Sequence, residues 1–212
     1  MDEQFNIDKQ NKILKDSVEI FMKFGIRSVS MDDIARELGI SKKTLYHYFH
    51  NKADLISKIL ESHEKESFHC CADNTNSEVN AIDELIEISM KINEDLKTYN
   101  PSALFDLHKY YPDLIKPFFE RRKTAVLKFT TENLKRGIRQ GLYRHDIDIE
   151  IISQLYIKKL EGVHEFIFNN DNIYQFNKIF KVMFDNHIRG IANSQGLIYY
   201  EQQKNKFENN NL

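Results

Sequence analysis

The sequence predicts an all-α protein, and three observations carry that prediction. Helix breakers are scarce, with 7 Gly and 3 Pro in 212 residues, so few points force the backbone out of a helix. Apolar residues recur at helical spacing in one segment after another. Hydroxyl, amide and carboxylate residues stand where helices begin, most densely between residues 28 and 54. The chain is long enough for one domain or two small ones. Its composition, 41% hydrophobic and 29% charged, is that of an ordinary soluble protein.

Residues 1–11 are polar apart from Phe5 and Ile7 and are expected to fray at their start. Ile13, Leu14, Val18, Phe21, Met22 and Ile26 mark an amphipathic helix over about 8–24, ended by Gly25. Residues 28–54, SVSMDDIARELGISKKTLYHYFHNKAD, then read as two short helices joined by a tight turn. Ser30 caps the first, with Asp33 completing a capping box. Met31, Ile34, Ala35 and Leu38 form its apolar face. Gly39 takes the backbone out of the helix, Ile40 plugs the angle, and Ser41 caps the second helix. Leu45 and Phe49 point inward there, leaving Lys42, Lys43, Thr44, Tyr46 and His47 outward. Between Asp33 and Asp54 the only acidic residue is Glu37, against Arg36, Lys42, Lys43 and Lys52. A third helix start follows at Asn51, with Asp54 as its partner. The spacing fits a helix-turn-helix whose second helix enters the DNA major groove. The net charge of −2 is no obstacle, because only the local field of a small head meets phosphates.

Residues 39–52, GISKKTLYHYFHNK, resemble the DNA-binding signature of the TetR (tetracycline repressor) family of bacterial regulators. The likeness extends upstream through SVEIFMKFGIRSVSMDDIARELG and covers about the first 60 residues. Lys43 departs from the family pattern, where a small residue or proline is common. It sets a longer cationic arm at the mouth of the recognition helix. Carried over residue by residue, the resemblance makes Tyr46 a base or phosphate contact, His47 a backbone contact and Lys52 the phosphate-binding lysine opening the fourth helix. Lys42 and Lys43 reach phosphates or guanine acceptors, and Thr44 a phosphate or a thymine methyl. Ser30 serves as a cap or a phosphate donor, and Tyr48 as core packing or a phosphate donor.

The fourth helix, about 51–70, closes the 1–50 head through Leu55, Ile56, Ile59 and Leu60. Residues 72–77, ADNTNS, are the expected boundary. Helices follow over about 77–98, 102–110, 117–141, 149–169 and 172–194, for about nine in all. Pro101, Pro112 and Pro117 interrupt them, and Asp148 caps the helix from Ile149. Residues 75–200 thus read as a larger helical domain, with 201–212 a loose tail. The segments beginning at Gly141 (G-L-Y-R-x-D-I-D) and at Arg189 (R-G-I) also resemble family positions.

The resemblance implies that the larger domain binds an effector and that the last two long helices form a homodimer interface. The effector's identity is unknown. The domain's aromatic content suits a small, largely apolar or aromatic ligand, with Asn100, His108, Tyr110, Arg122 and Tyr156 as candidate polar anchors. Arg121, Arg122 and Lys123 otherwise read as a solvated face. The eight histidines are scattered and no catalytic or nucleotide fingerprint is present. No catalytic residue, cofactor or metal is therefore expected. The adjacent Cys70 and Cys71 read as ordinary thiols in a reducing compartment. With no signal segment and no run of ~18 apolar residues, a cytoplasmic protein without a membrane partner is expected. The function expected is a homodimeric repressor on double-stranded DNA with a palindromic operator, released by its ligand. The alternatives are an activator, a regulator controlled by a protein partner, or a helical adaptor that has lost DNA binding.

Overall fold

A computed structural model describes the backbone of residues 2–72, 79–97, 101–169 and 173–209, and side chains within 5–65, 79–92, 102–163 and 178–204. Ten helices run through the described residues: α1 Asp2–Phe24, α2 Met31–Glu37, α3 Lys42–Tyr48, α4 Lys52–Ala72, α5 Ala81–Lys97, α6 Pro101–Tyr110, α7 Pro112–Arg139, α8 Ile149–Asn169, α9 Ile173–Ile191 and α10 Ser194–Asn209. None is long and apolar enough to cross a membrane, among the described residues. The expected boundary at 72–77 lies almost wholly outside them, as do the side chains of Cys70, Cys71 and Asn100.

The helices differ from the sequence expectation in three places, each for a tertiary or positional reason. α1 begins at Asp2, and its Asn6 accepts a 2.5 Å hydrogen bond from the Tyr48 hydroxyl. α7 begins at Pro112 and carries Pro117 inside it. A proline at the first helical position loses no bond, since that N–H has no helical partner. The tenth helix lies beyond the nine expected, and it runs to Asn209, into the segment expected to be a loose tail. The Asn193 carboxamide accepts from the Gly196 N–H (2.9 Å) and donates to the Gly141 carbonyl (2.8 Å), so the chain turns and restarts there. Beyond the turn, Tyr199 donates to Asp83 (2.6 Å), while Tyr200 (3.0 Å) and Lys204 (2.8 Å) donate to Asp185. A polar, Asn-rich sequence does not announce partners that distant.

The chain divides into two compact units. The first comprises residues 1–67 and 98–122. Its core joins Ile13, Leu14, Ile20 and Phe21 of α1 to Ile34, Leu45, Phe49, Leu55 and Ile56, with Ala103 of α6 in the same cluster. On α1 it is Ser17 and not Val18 that is fully buried on this face. Four helices were expected to close this head. α6 and the start of α7 also pack on it, through Leu107, Tyr111 and Leu114.

The second unit comprises residues 68–97 and 123–212. Its centre is Ile82, Leu134, Tyr143, Ile188 and Ile191. A buried polar network crosses it. Arg136 pairs with Glu84, the Asn133 side chain donates to Glu84 (2.7 Å) and to the Ala81 carbonyl (2.9 Å), and Tyr143 donates to Asn133 (3.0 Å). Gly137 is required beside it, because a Cβ there would stand 2.1 Å from the Tyr143 ring.

Candidate nucleic-acid interface

The reading helix is short, and its position is set almost entirely by caps and two buried side chains. At the start of α2 the Ser30 hydroxyl accepts from the Asp33 N–H (3.2 Å) and the Asp33 carboxylate accepts from the Ser30 N–H (3.0 Å). The hydrogen bonds from the Ser30 side chain and backbone hold the Asp33 carboxyl below its ordinary range. At the end of α2, Gly39 takes φ +63°. The Ile40 N–H then reaches the Ala35 carbonyl (3.0 Å) and the Gly39 N–H the Arg36 carbonyl (3.1 Å). This is a Schellman closure, which needs a residue free to adopt a left-handed backbone. Ser41 next caps α3, accepting from the Thr44 N–H at 3.0 Å. Leu45 and Phe49 are fully buried beneath. With the inner face fixed, Lys42, Lys43, Tyr46 and His47 are exposed.

The cations of this surface are arranged differently from a simple count of charges. Lys42 is paired at 2.5 Å with Asp32 in the first turn of α2, and Arg36 is paired with Asp33. The Lys52 ammonium donates to the carbonyls of Ile26 and Val29 in the turn between α1 and α2. Burial lowers its pKa, opposed by the charges of Asp106 and Asp33. Lys43, by contrast, has no hydrogen-bond or ion-pair partner among the described residues. Thr44 shares a 2.8 Å contact with the Ser41 hydroxyl, and Ser30 is engaged in its capping box. His47 meets the Tyr48 ring edge-on at 5.1 Å, and Tyr48 is half-buried with its hydroxyl on Asn6. Behind the reading face, Lys58 lies over the Phe49 ring (5.4 Å) and donates to the Tyr48 carbonyl (3.2 Å), closing the C-terminus of α3.

Residues 13–59 match the family model described as bacterial regulatory proteins, tetR family. The chain is a TetR-family helix-turn-helix regulator. As such it is a DNA-binding protein of transcription regulation. It is 23% identical over 147 residues to the HTH-type transcriptional repressor KstR2 of Mycobacterium tuberculosis, covering 68% of this chain and 74% of that one. The solved structure of that ketosteroid transcriptional regulator is similar with a TM-score of 0.57 at 20% identity, over 88% of this chain and 96% of the other. A transcriptional regulator from Cytophaga hutchinsonii is similar with a TM-score of 0.71 at 16% identity, over 87% and 99%. SmeT, the repressor of the Stenotrophomonas maltophilia multidrug efflux pump SmeDEF, reaches 0.67 at 13%, over 87% and 91%. Likenesses at these identities show the shared TetR-family fold.

The candidate effector anchors fall in both units. His108, Tyr110 and Arg122 belong to the first unit and Tyr156 to the second. His108 stacks on Phe119 at 5.2 Å, and burial lowers its pKa. Tyr110 is exposed, with the Arg27 guanidinium 5.0 Å above its ring. Arg122 is half-buried and engaged. Its neighbours Arg121 and Lys123 are paired with Glu64 (2.7 Å) and Glu161 (3.0 Å). Tyr156 is buried against the His187 ring, 4.3 Å between centroids, in a cluster with Val163, Phe180 and Met183.

Asp32 and Asp106 of this TetR-family head are not marked by the sequence. Asp32 lies one residue outside the basic 33–54 stretch, and its pairing with Lys42 exists only once the two helices cross. Asp106 accepts a 2.8 Å bond from the Arg27 N–H, 79 residues away. No local pattern signals that pairing.

Proposed function

We propose that the protein acts as a homodimeric repressor that binds a palindromic operator and leaves it when a small, largely apolar or aromatic ligand binds. The observation that carries this reading is the exposed face of α3. A helix locked by the Ser41 cap and by buried Leu45 and Phe49 presents Lys42, Lys43, Tyr46 and His47 outward, a set suited to base edges and phosphates. Ser30, Thr44, Tyr48 and Lys52 stand around it as supporting or phosphate contacts. A seven-residue helix reads only a few base pairs. Two copies, ~34–36 Å apart on successive major grooves, supply the length of an operator. The last two long helices supported by the sequence, α8 and α9, are suited to join those copies. Ile151 and Leu155 of α8 and Val182 of α9 are exposed, an apolar surface without cover in one chain.

For the ligand, Tyr156 is the favoured anchor among the candidates. It is a buried hydroxyl-bearing ring among apolar side chains, which suits an aromatic ligand with one polar group. Release would be a population shift toward a head spacing that no longer fits the grooves. Selection of duplexes from a random pool, followed by salt titration of the recovered site, tests the reading. A palindromic site bound by two chains with affinity falling steeply in salt is expected. No enriched duplex and no salt dependence would exclude it.

A further inference from the structure

We propose that Asp32 is a positioning residue for DNA binding: it holds the Lys42 ammonium in an intramolecular ion pair, so that Lys42 reaches a DNA phosphate only by exchanging one anion for another. The inference rests on the DNA-binding reading above. Asp32 sits in the first turn of α2 and Lys42 opens α3, and the turn that crosses the two helices brings their charges to 2.5 Å. Both side chains are exposed, 51% and 65% respectively. An exposed pair of this kind is weak, so it is a restraint that a well-placed phosphate can displace.

The neighbouring charges make this restraint matter. Across α2 and α3 the cations Arg36, Lys42 and Lys43 face the anions Asp32, Asp33 and Glu37. Arg36 is held by Asp33, and Lys52 is turned toward main-chain carbonyls. The immediate positive field of the reading face therefore depends strongly on whether Lys42 is neutralised. Non-specific association is driven by release of counterions from neutralised phosphates. A lysine already paired with a carboxylate adds little to it. On an operator, where α3 is held in register, Lys42 gives up the whole worth of the Asp32 pair to meet its phosphate, whereas on arbitrary duplex it can stay paired. Asp32 thus lowers affinity for operator at least as much as for arbitrary duplex.

The test compares the full-length protein with its Asp32→Asn variant on a random-sequence duplex and on a selected operator, across a salt series. Asp32→Asn is expected to bind random duplex about two- to fivefold tighter, with a salt slope steeper by about 0.9, one additional phosphate. The operator gains at least as much. In a Lys42→Ala background the Asp32→Asn change has no effect, as a double-mutant cycle requires of a direct pair. Glu37→Gln, which removes the same charge from α2 without touching Lys42, does not reproduce the change. An unchanged slope on random duplex, a smaller gain on operator than on random duplex, a gain that survives Lys42→Ala, or the same gain in Glu37→Gln would each overturn the proposal. Absence of salt-dependent binding by the unaltered protein would instead remove the DNA-binding reading itself, and this inference with it.

Discussion

The carboxylate of Asp106 on α6 accepts a 2.8 Å hydrogen bond from the backbone N–H of Arg27, tying α6 to the turn that leads into the reading motif. The Arg27 side chain reinforces the contact by lying over the Tyr110 ring at 5.0 Å. Asp106→Ala leaves the Arg27 N–H to water. It should lower stability by about 1 kcal/mol, the usual net worth of one such bond, read as a shift in the urea midpoint. An unchanged midpoint would mean that the contact adds nothing to the first unit.

Lys52 closes the same turn from the other side, through the carbonyls of Ile26 and Val29. Lys52→Ala removes two charge-assisted bonds from a half-buried site, and should cost about 2 kcal/mol in the absence of any DNA. Thermal unfolding of the free protein checks this. A variant of normal stability that only loses DNA affinity would make Lys52 a phosphate contact and nothing more.

Gly137→Ala should be strongly destabilising for a steric reason. The added methyl would stand 2.1 Å from the Tyr143 ring, and Tyr143 is buried with its hydroxyl on Asn133 (3.0 Å). Overpacking of this kind costs about 1–3 kcal/mol, and here it also disturbs the Glu84–Arg136 network. Denaturant unfolding of the variant should show the loss. Wild-type stability would mean that the ring shifts without penalty.

His187 makes the second unit sensitive to acid. Burial, with a smaller contribution from the charge of Lys159, lowers its pKa from 6.5 to about 4. Between those values the unfolded chain holds the proton and the folded chain does not, so stability rises with pH there. The stabilisation is present in full above the unfolded value and is lost as pH falls toward about 4, by about 3 kcal/mol at most. His187→Phe keeps a ring against Tyr156 and should flatten the profile over this range. A variant with the same pH dependence would assign it to other groups.

The exposed apolar face of α8 is expected to hold two chains together. Leu155, 51% exposed beside Ile151 at 56%, is a position where a charge costs one chain little. Leu155→Glu should give monomers by sedimentation velocity, with operator affinity reduced at least tenfold, roughly the loss expected when two linked heads act singly. A variant that stays dimeric would move the interface elsewhere.

Most of the reading head was legible in the sequence because its determinants are local. A cap and its partner lie three residues apart at Ser30 and Asp33, and Gly39 and Ile40 close a helix through bonds of similar reach. Leu45 and Phe49 share a face by helical spacing alone. These relations depend on the backbone period and need no knowledge of distant chain. Ser17 shows where that ended. Apolar spacing favoured Val18, yet the packing of neighbouring helices turned Ser17 to full burial and left Val18 half-covered.

The sequence by itself determined that the chain is helical, that residues 28–54 form a capped helix-turn-helix, and which side chains α3 presents outward. Tertiary structure alone decided that α6 packs with the reading motif, that α10 continues the fold beyond Tyr200, and that Lys42 and Lys52 already have partners. The physical reason is reach. Caps and helical faces are set by bonds three or four residues long, whereas Asp32 finds Lys42, Asp106 finds Arg27 and Asp83 finds Tyr199 only after helices have crossed. An ion pair can then spend the very charge that a count along the chain assigns to DNA.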